Sequence, residues 1–167
     1  MYAAKKYMLP HLVRECRRCL LKSLDISNVF ELLEQSLLLD EQKLKSDCLK
    51  LISVNAKDVL SGTEIKSVSR RLMEAILELE TAQVSESIIN YEAAVNWAKH
   101  QLQKAIPGEC PTDIQIRETL GDLLYKIRFP SMKPTDFAAI SAGKNILTAE
   151  EKESIYYYLV TKEKTVN

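Results

Sequence analysis

Apolar residues along this chain recur at spacings of three and four, the period of a helix with one buried face. Leu12, Val13, Cys16, Cys19 and Leu20 share such a face. With Pro10 at a first helical position, where its missing N–H costs little, they predict a helix from 10 to about 21, after a short one over 2–8. Ser27 and Asn28 are N-cap residues, and Glu31 lies three beyond Asn28, as a reciprocal cap requires. The helix they open carries Val29, Phe30, Leu33 and Leu37. Asp40 and Glu41 open the next, where negative charge suits the N-terminal end of the helix dipole, and its inner face is Leu44, Cys48, Leu51 and Ile52. So short a link forces an antiparallel hairpin.

The same pattern continues to the end. A helical turn is expected over 56–60, ending near Gly62, and then an amphipathic helix with Val68, Leu72, Ile76 and Leu79. Ser85 and Glu86 open the longest helix, whose buried stripe is Tyr91, Ala94, Val95, Ala98 and Leu102, with Trp97 on its flank. Pro107 to Pro111 is a break. Thr112 or Asp113 caps a helix bearing Ile116, Leu120, Leu123, Leu124 and Ile127. Pro130 and Pro134 bracket a loop, and a short helix follows near 136–140. Thr148 and Glu151 have capping-box spacing and start a last helix through Tyr156, Tyr157, Tyr158 and Leu159; the polar tail 161–167 is expected to fray. No alternating run is long enough for a strand. The expected fold is all-α: antiparallel helical hairpins stacked in a small solenoid-like array.

Composition sharpens this picture. A chain of 167 residues with 46% hydrophobic and 28% charged side chains can bury a core without metals or disulfides. Its 4 Gly and 5 Pro are few for the tight turns of a strand-rich domain. Basic and acidic residues balance at 23 each, so the global excess of cations that phosphate binding needs is missing. The first stretch is locally basic, with Lys5, Lys6, Arg14, Arg17, Arg18 and Lys22 against Glu15. Its plain reading is a solvated face or a partner-facing edge; its sharper one is a phosphate-binding patch. The run Leu32–Leu39, broken by Glu34 and Gln35, is too short to span a membrane, and the first residues lack a signal peptide's apolar run. A cytoplasmic or nuclear protein with reduced thiols is expected.

The search for chemistry finds little. Cys16 and Cys19 form a C-x-x-C with His11 nearby, but zinc needs four ligands, and Cys48 and Cys110 stand alone. Both Cys of the pair fall inside a helix, so they are expected to be buried structural thiols. His11 and His100 have no nucleophile motif beside them, and His100 is expected near a helix C-terminus as a cation. The carboxylates fall on solvent-facing positions; Glu78 and Glu80 do not share a helix face. No catalytic residue, cofactor site or metal site is expected. Trp97 reads as a packing anchor.

Three stretches carry a resemblance. Tyr2-Ala-Ala-Lys-Lys-Tyr-Met-Leu-Pro-His-Leu-Val-Arg-Glu-Cys16 resembles the last helix pair of a BTB/POZ domain. The segment from Leu24 to Ile52 is similar to the helical hairpin called the 3-box, which opens BACK domains. Tyr91-Glu-Ala-Ala-Val-Asn-Trp-Ala-Lys-His100, with Leu123-Leu-Tyr-Lys-Ile-Arg-Phe-Pro-Ser-Met132, resembles the tryptophan helix and the Arg-Phe-Pro turn of BACK. Order and spacing match over nearly the whole chain. Tyr2-Ala-Ala-Lys-Lys-Tyr7 and Ile127-Arg-Phe-Pro-Ser-Met132, with Phe137-Ala-Ala139, look closest to the subgroup with a C-terminal PHR β-sandwich rather than kelch repeats.

The resemblance implies BTB helices over 1–22, a BACK domain over 23–160 with its 3-box at about 25–53, and a tail. It implies an adaptor of a cullin-3 RING ubiquitin ligase, in which BTB dimerises and binds the cullin. The 3-box adds a groove for the cullin's N-terminal extension, and BACK spaces a C-terminal substrate-binding domain. By position Val29, Phe30, Leu33, Leu37 and Leu44 are candidates for that groove, though for each the core is the favoured place. Tyr91, Trp97, Arg128 and Pro130 match structural positions of the family. Lys133 departs from the small cap expected before Pro134. The alternative function is a general helical module that binds protein or nucleic acid through the basic N-terminal helix. Without a BTB body against it, the face of residues 2–21 is expected to be adhesive or to mediate self-association.

Overall fold

The structure is a computed structural model that describes residues 1–79 and 86–166. The described residues are helical and loop only, as the all-α reading expects. In order they are α1 (Tyr2–Lys6), α2 (Pro10–Lys22), α3 (Val29–Leu38), α4 (Gln42–Val54), α5 (Ala56–Leu60) and α6 (Arg70–Leu77). There follow α7 (Glu86–Ala105), α8 (Asp113–Leu120), α9 (Leu123–Lys126), α10 (Pro134–Ser141) and α11 (Ala149–Val166). Short 3-10 turns cover Glu64–Ser67 and Phe129–Ser131.

Local signals place most boundaries. Pro10 is the first residue of α2. At α8 the Thr112 hydroxyl accepts from the Gln115 N–H at 3.4 Å while the Thr112 N–H donates to Gln115 Oε1 at 2.9 Å. At α11 the same reciprocal cap joins Thr148 and Glu151, at 3.2 and 2.8 Å. Each box satisfies two N-terminal N–H groups that no helical carbonyl reaches. Asn28 departs from expectation. Its side chain makes no cap on α3; Oδ1 accepts from the Asp25 N–H and Nδ2 donates to the Ser23 carbonyl, so it closes the preceding turn instead. The last helix runs on to Val166, beyond position 161 where fraying was expected. The expected opening of α7 at Ser85 falls outside the described residues; the helix is described from Glu86.

The helices α3 and α4 pack along each other as a hairpin, and α7 gathers several later elements. The α5 helix, the Glu64–Ser67 turn, α8 and α10 all touch it. Its central residues explain the role. Tyr91, Ala94, Val95 and Ala98 are buried, and small Ala93, Ala94 and Ala98 let neighbours approach closely. Trp97, expected on the flank, is itself in the core at 4% exposure, and its indole N–H donates to the Val68 carbonyl at 2.8 Å. That bond fastens the spine to the chain just before α6. Tyr91, Phe129 and Phe137 form a ladder of edge-to-face pairs with centroids 5.9 and 6.0 Å apart, which joins α7 to the Phe-Pro turn and α10.

Charged ties cross-brace this assembly. Arg70 on α6 donates to the carbonyls of Thr119 and Leu120 at 3.0 Å each and to Asp122 at 2.7 Å, so a cation closes the C-terminal end of α8. Gly121 follows there at φ +52, a backbone conformation that disfavours a side chain. Lys126 reaches Glu74 and Glu78 at 3.0 and 2.5 Å, tying α9 to α6.

Candidate protein-interaction site

The N-terminal hairpin is attached to the domain in an unusual way. Helix α2 contains no fully buried residue, although its apolar stripe suggested a core face. Leu12 and Cys19 are exposed and Val13, Cys16 and Leu20 half-buried, so the expected buried C-x-x-C thiols are not in the core. Buried Ala4 and the half-buried Leu20 and Leu21 attach α1 and α2 by apolar contact, and Glu41 adds a charged anchor. Its carboxylate is 4% exposed and accepts Lys5 Nζ at 2.7 Å, Arg17 Nε at 2.8 Å and Arg17 Nη2 at 2.7 Å. Lys5 also donates to the Leu39 carbonyl. Asp40, one residue back, has φ +50, which an Asp tolerates better than most residues and which turns Glu41 inward. Burial raises the carboxyl pKa of Glu41, but hydrogen bonds and charge from Lys5 and Arg17 outweigh it and hold it below the usual value.

Two expectations change here. Glu41 was read as a solvent-facing acid serving its own helix dipole; it makes no cap on α4 and serves as an anchor for another hairpin. The basic N-terminal stretch is partly used up: Lys5 and Arg17 go to Glu41, and Arg18 pairs with Glu15 at 2.8 Å.

Between α1 and α2 lies an open groove of about 770 Å³. Ala4, Met8, Leu9, Pro10 and Val13 form its apolar lining, and Lys5, Arg14 and Arg17 its basic part. Met8 sits at the turn with φ +53 and is 87% exposed. A β-carbon-bearing residue in the left-handed region carries strain, and a bare methionine is costly to hydrate. Leu9, Leu12, Tyr2 and Tyr7 around it are exposed as well. The surface therefore offers flexible and aromatic apolar groups with cations beside them, a composition typical of protein interfaces.

The five residues proposed for a groove on the 3-box hairpin divide. Val29, Leu33 and Leu44 are fully buried between α3 and α4, together with Cys48 and Ile52, so they hold the hairpin together from inside. Phe30 and Leu37 are half-buried and keep part of their surface at the solvent. The exposed apolar surface is richer on α1 and α2, the face expected to be adhesive, and Met8 and Leu9 before Pro10 stand at its centre.

Tyr91 and Trp97 are buried, and burial, with Asp113 and Glu92 nearby, pushes the Tyr91 phenol up to about 12. Pro130 lies within the Phe129–Ser131 turn, with Arg128 just before it and exposed. His100 lies five residues short of the end of α7, so the cation in its last turn is Lys104 rather than the histidine. Among the described residues no three His, Cys, Asp or Glu come together as a metal site, and no helix is long and apolar enough to cross a membrane.

Comparison with known proteins agrees with this architecture. The family model described as BACK, BTB And C-terminal Kelch, matches residues 29–141. The chain is 35% identical over 98% of its length to BTB/POZ domain-containing protein 3 of Mus musculus, covering 30% of that protein, and equally to the Homo sapiens protein, covering 31%. It is 34% identical over 98% of its length to BTB/POZ domain-containing protein 6 of Xenopus tropicalis, again covering 30% of it. The chain thus spans about 30% of the length of these curated relatives. No solved structure matches it.

Proposed function

The chain belongs to the BACK family, and from that premise we propose that it is a non-catalytic adaptor module of a cullin-3 RING ubiquitin ligase. In this reading the N-terminal hairpin and the α3–α4 hairpin together receive the cullin's N-terminal extension, and the body around α7 spaces a substrate-binding domain from the ligase. The single observation that carries it is the groove at the α1–α2 turn, which strained, 87% exposed Met8 lines together with Leu9, Pro10 and Val13. Apolar grooves of this kind take up a partner's side chains at regular spacing. The Glu41 anchor fixes this groove against α4, so it is presented in a set orientation. The ties through Arg70, Lys126 and Trp97 suit a stiff spacer. Substrate choice and dimerisation belong to a substrate-binding domain and a BTB body, and the reading places the whole protein in the cytoplasm or nucleus.

A nucleic-acid role for the basic stretch is the weaker reading, because Lys5, Arg17 and Arg18 are already engaged by carboxylates. A labelled peptide of the cullin-3 N-terminal extension, followed by fluorescence anisotropy, tests the adaptor reading. Binding should fall at least about tenfold in Met8→Asp, a change equivalent to roughly 1.4 kcal/mol, while the melting temperature stays put because Met8 is on the surface. Equal binding by wild type and variant, or none by either, contradicts it.

A further inference from the structure

A second apolar trough, about 400 Å³ in volume, runs along α11. Glu150, Glu151, Ser154 and Ile155 of α11 form one wall at helical steps of three and four residues, with Leu147 just before the helix extending it. From Glu150 to Ile155 this stripe covers about 8 Å along the helix axis. The facing wall is Tyr125 with Phe129 and Pro130.

Tyr125 is the telling residue. Its side chain is 71% exposed, yet its hydroxyl donates to Glu151 and accepts from Arg117 Nη2, both at 3.3 Å. The ring is therefore held by its polar end while its faces remain bare. On its other side lies a further hollow of about 310 Å³ bounded by Ile114, itself 65% exposed. A fixed aromatic ridge between two hollows loses little freedom when something packs against it, which is how binding anchors gain affinity.

The charge of the trough is one-sided. Glu151 is neutralised by Arg117, whose Nη1 and Nη2 reach its two oxygens at 2.7 and 2.8 Å. Glu150 lines the same wall, and among the described residues no cation pairs with it. The walls are built of side chains and present no strand edge on which an extended peptide would add main-chain hydrogen bonds.

We propose that this trough is a docking site for a short amphipathic helix of a partner protein, one that lays apolar side chains at i, i+3 or i+4, and i+7 between Tyr125 and Ile155 and sets a Lys or Arg against Glu150. The site is separate from the α1–α2 groove, so it adds a second protein contact to the adaptor and stands or falls independently of cullin binding.

A displayed library of randomised helical peptides, selected on this chain and counter-selected on Ser154→Arg, is the direct test. Ser154 is exposed, and Arg is the better helix former there, so the variant should fold while its side chain blocks the trough. Enriched peptides should carry the apolar spacing and a basic residue. Glu150→Lys should weaken the best of them by roughly tenfold, and replacing that peptide's Lys or Arg by Glu should restore binding to the variant. No enrichment over Ser154→Arg, enrichment of proline-rich extended peptides, or indifference to the charge swap overturns the proposal. So does sedimentation showing that the chain dimerises and that Ser154→Arg makes it monomeric, since the occupant would then be a second copy. Should the Ser154 variant melt early, the charge swap at Glu150 alone decides.

Discussion

Arg17 of α2 donates through both Nε and Nη2 to one carboxylate oxygen of Glu41, at 2.8 and 2.7 Å, across 24 positions of sequence. With Lys5 on the other oxygen, this is the charged tie between the N-terminal hairpin and the rest of the domain. Removing the charge in Glu41→Gln keeps the shape but leaves two cations facing a neutral amide. Since the Lys5 and Arg17 side chains are still about a third exposed, they rehydrate, and the loss should be about 1–3 kcal/mol. Hydrogen exchange should show it as faster exchange in α1 and α2 with α7 unchanged, because α2 contributes no fully buried side chain to the core. Equal protection in wild type and variant would mean that Ala4 and the half-buried Leu20 and Leu21 hold the hairpin unaided.

The Arg117–Glu151 pair predicts how stability depends on acid. The hydrogen bond from Arg117 is the largest influence on Glu151; it outweighs burial, is assisted by the Thr148 N–H, and holds the carboxyl at about 2 against an ordinary 4.5. A depressed carboxyl contributes stability that is complete above its unfolded pKa and is lost as pH falls toward the folded one. Between pH 4.5 and about 2 the domain should therefore lose stability, by about 1–2 kcal/mol from this group once screening of its partly exposed side chain is allowed for. Chemical denaturation across that range should give a shallower slope for Glu151→Gln than for wild type. An identical slope would show that the pair does not brace α8 against α11.

Trp97 is the single tryptophan, buried at 4% exposure and hydrogen-bonded to Val68. Its fluorescence should be blue-shifted in the folded chain and move red in one step on unfolding. Truncation to Ala should cost about 3–5 kcal/mol. Trp97→Phe keeps much of the packing but strands the Val68 carbonyl, for about 1–3 kcal/mol. Urea midpoints of the two variants measure the difference.

The four thiols should react in a definite order. Cys19 and Cys110 are exposed, Cys16 is half-buried and Cys48 is buried, with burial, and then Asp47, raising it to about 11. Mass spectrometry after brief iodoacetamide treatment should find Cys19 and Cys110 modified first, Cys16 later and Cys48 only after denaturation. Early labelling of Cys48 would mean that the α3–α4 hairpin opens readily.

Much of this was legible in the chain. The capping boxes at Thr112 and Thr148 and the proline at the start of α2 are local signals, carried by residues three positions apart or fewer, so they needed no tertiary information. The apolar period located the inner faces of α3 and α4, including Val29, Leu33 and Leu44. It did not say whether a face meets another helix or a partner, because both demand the same side chains. For that reason α2 looked buried and is not, whereas Trp97, legible as a packing anchor, is in the core. Glu41 was hidden for a different reason. Acid at a helix start is ordinary, and its function depends on Lys5 and Arg17, which only the fold brings to it. The bare ring of Tyr125 was hidden likewise, since its hydroxyl partners come from α8 and α11.

Calorimetry decides whether the N-terminal half of this chain receives a cullin's N-terminal extension, as proposed. The chain is titrated with the N-terminal region of cullin-3, with and without the extension. Binding should require the extension and carry a negative heat-capacity change, the mark of apolar burial. Binding of equal strength without the extension, or no heat with it, would mean that the extension docks elsewhere or not at all.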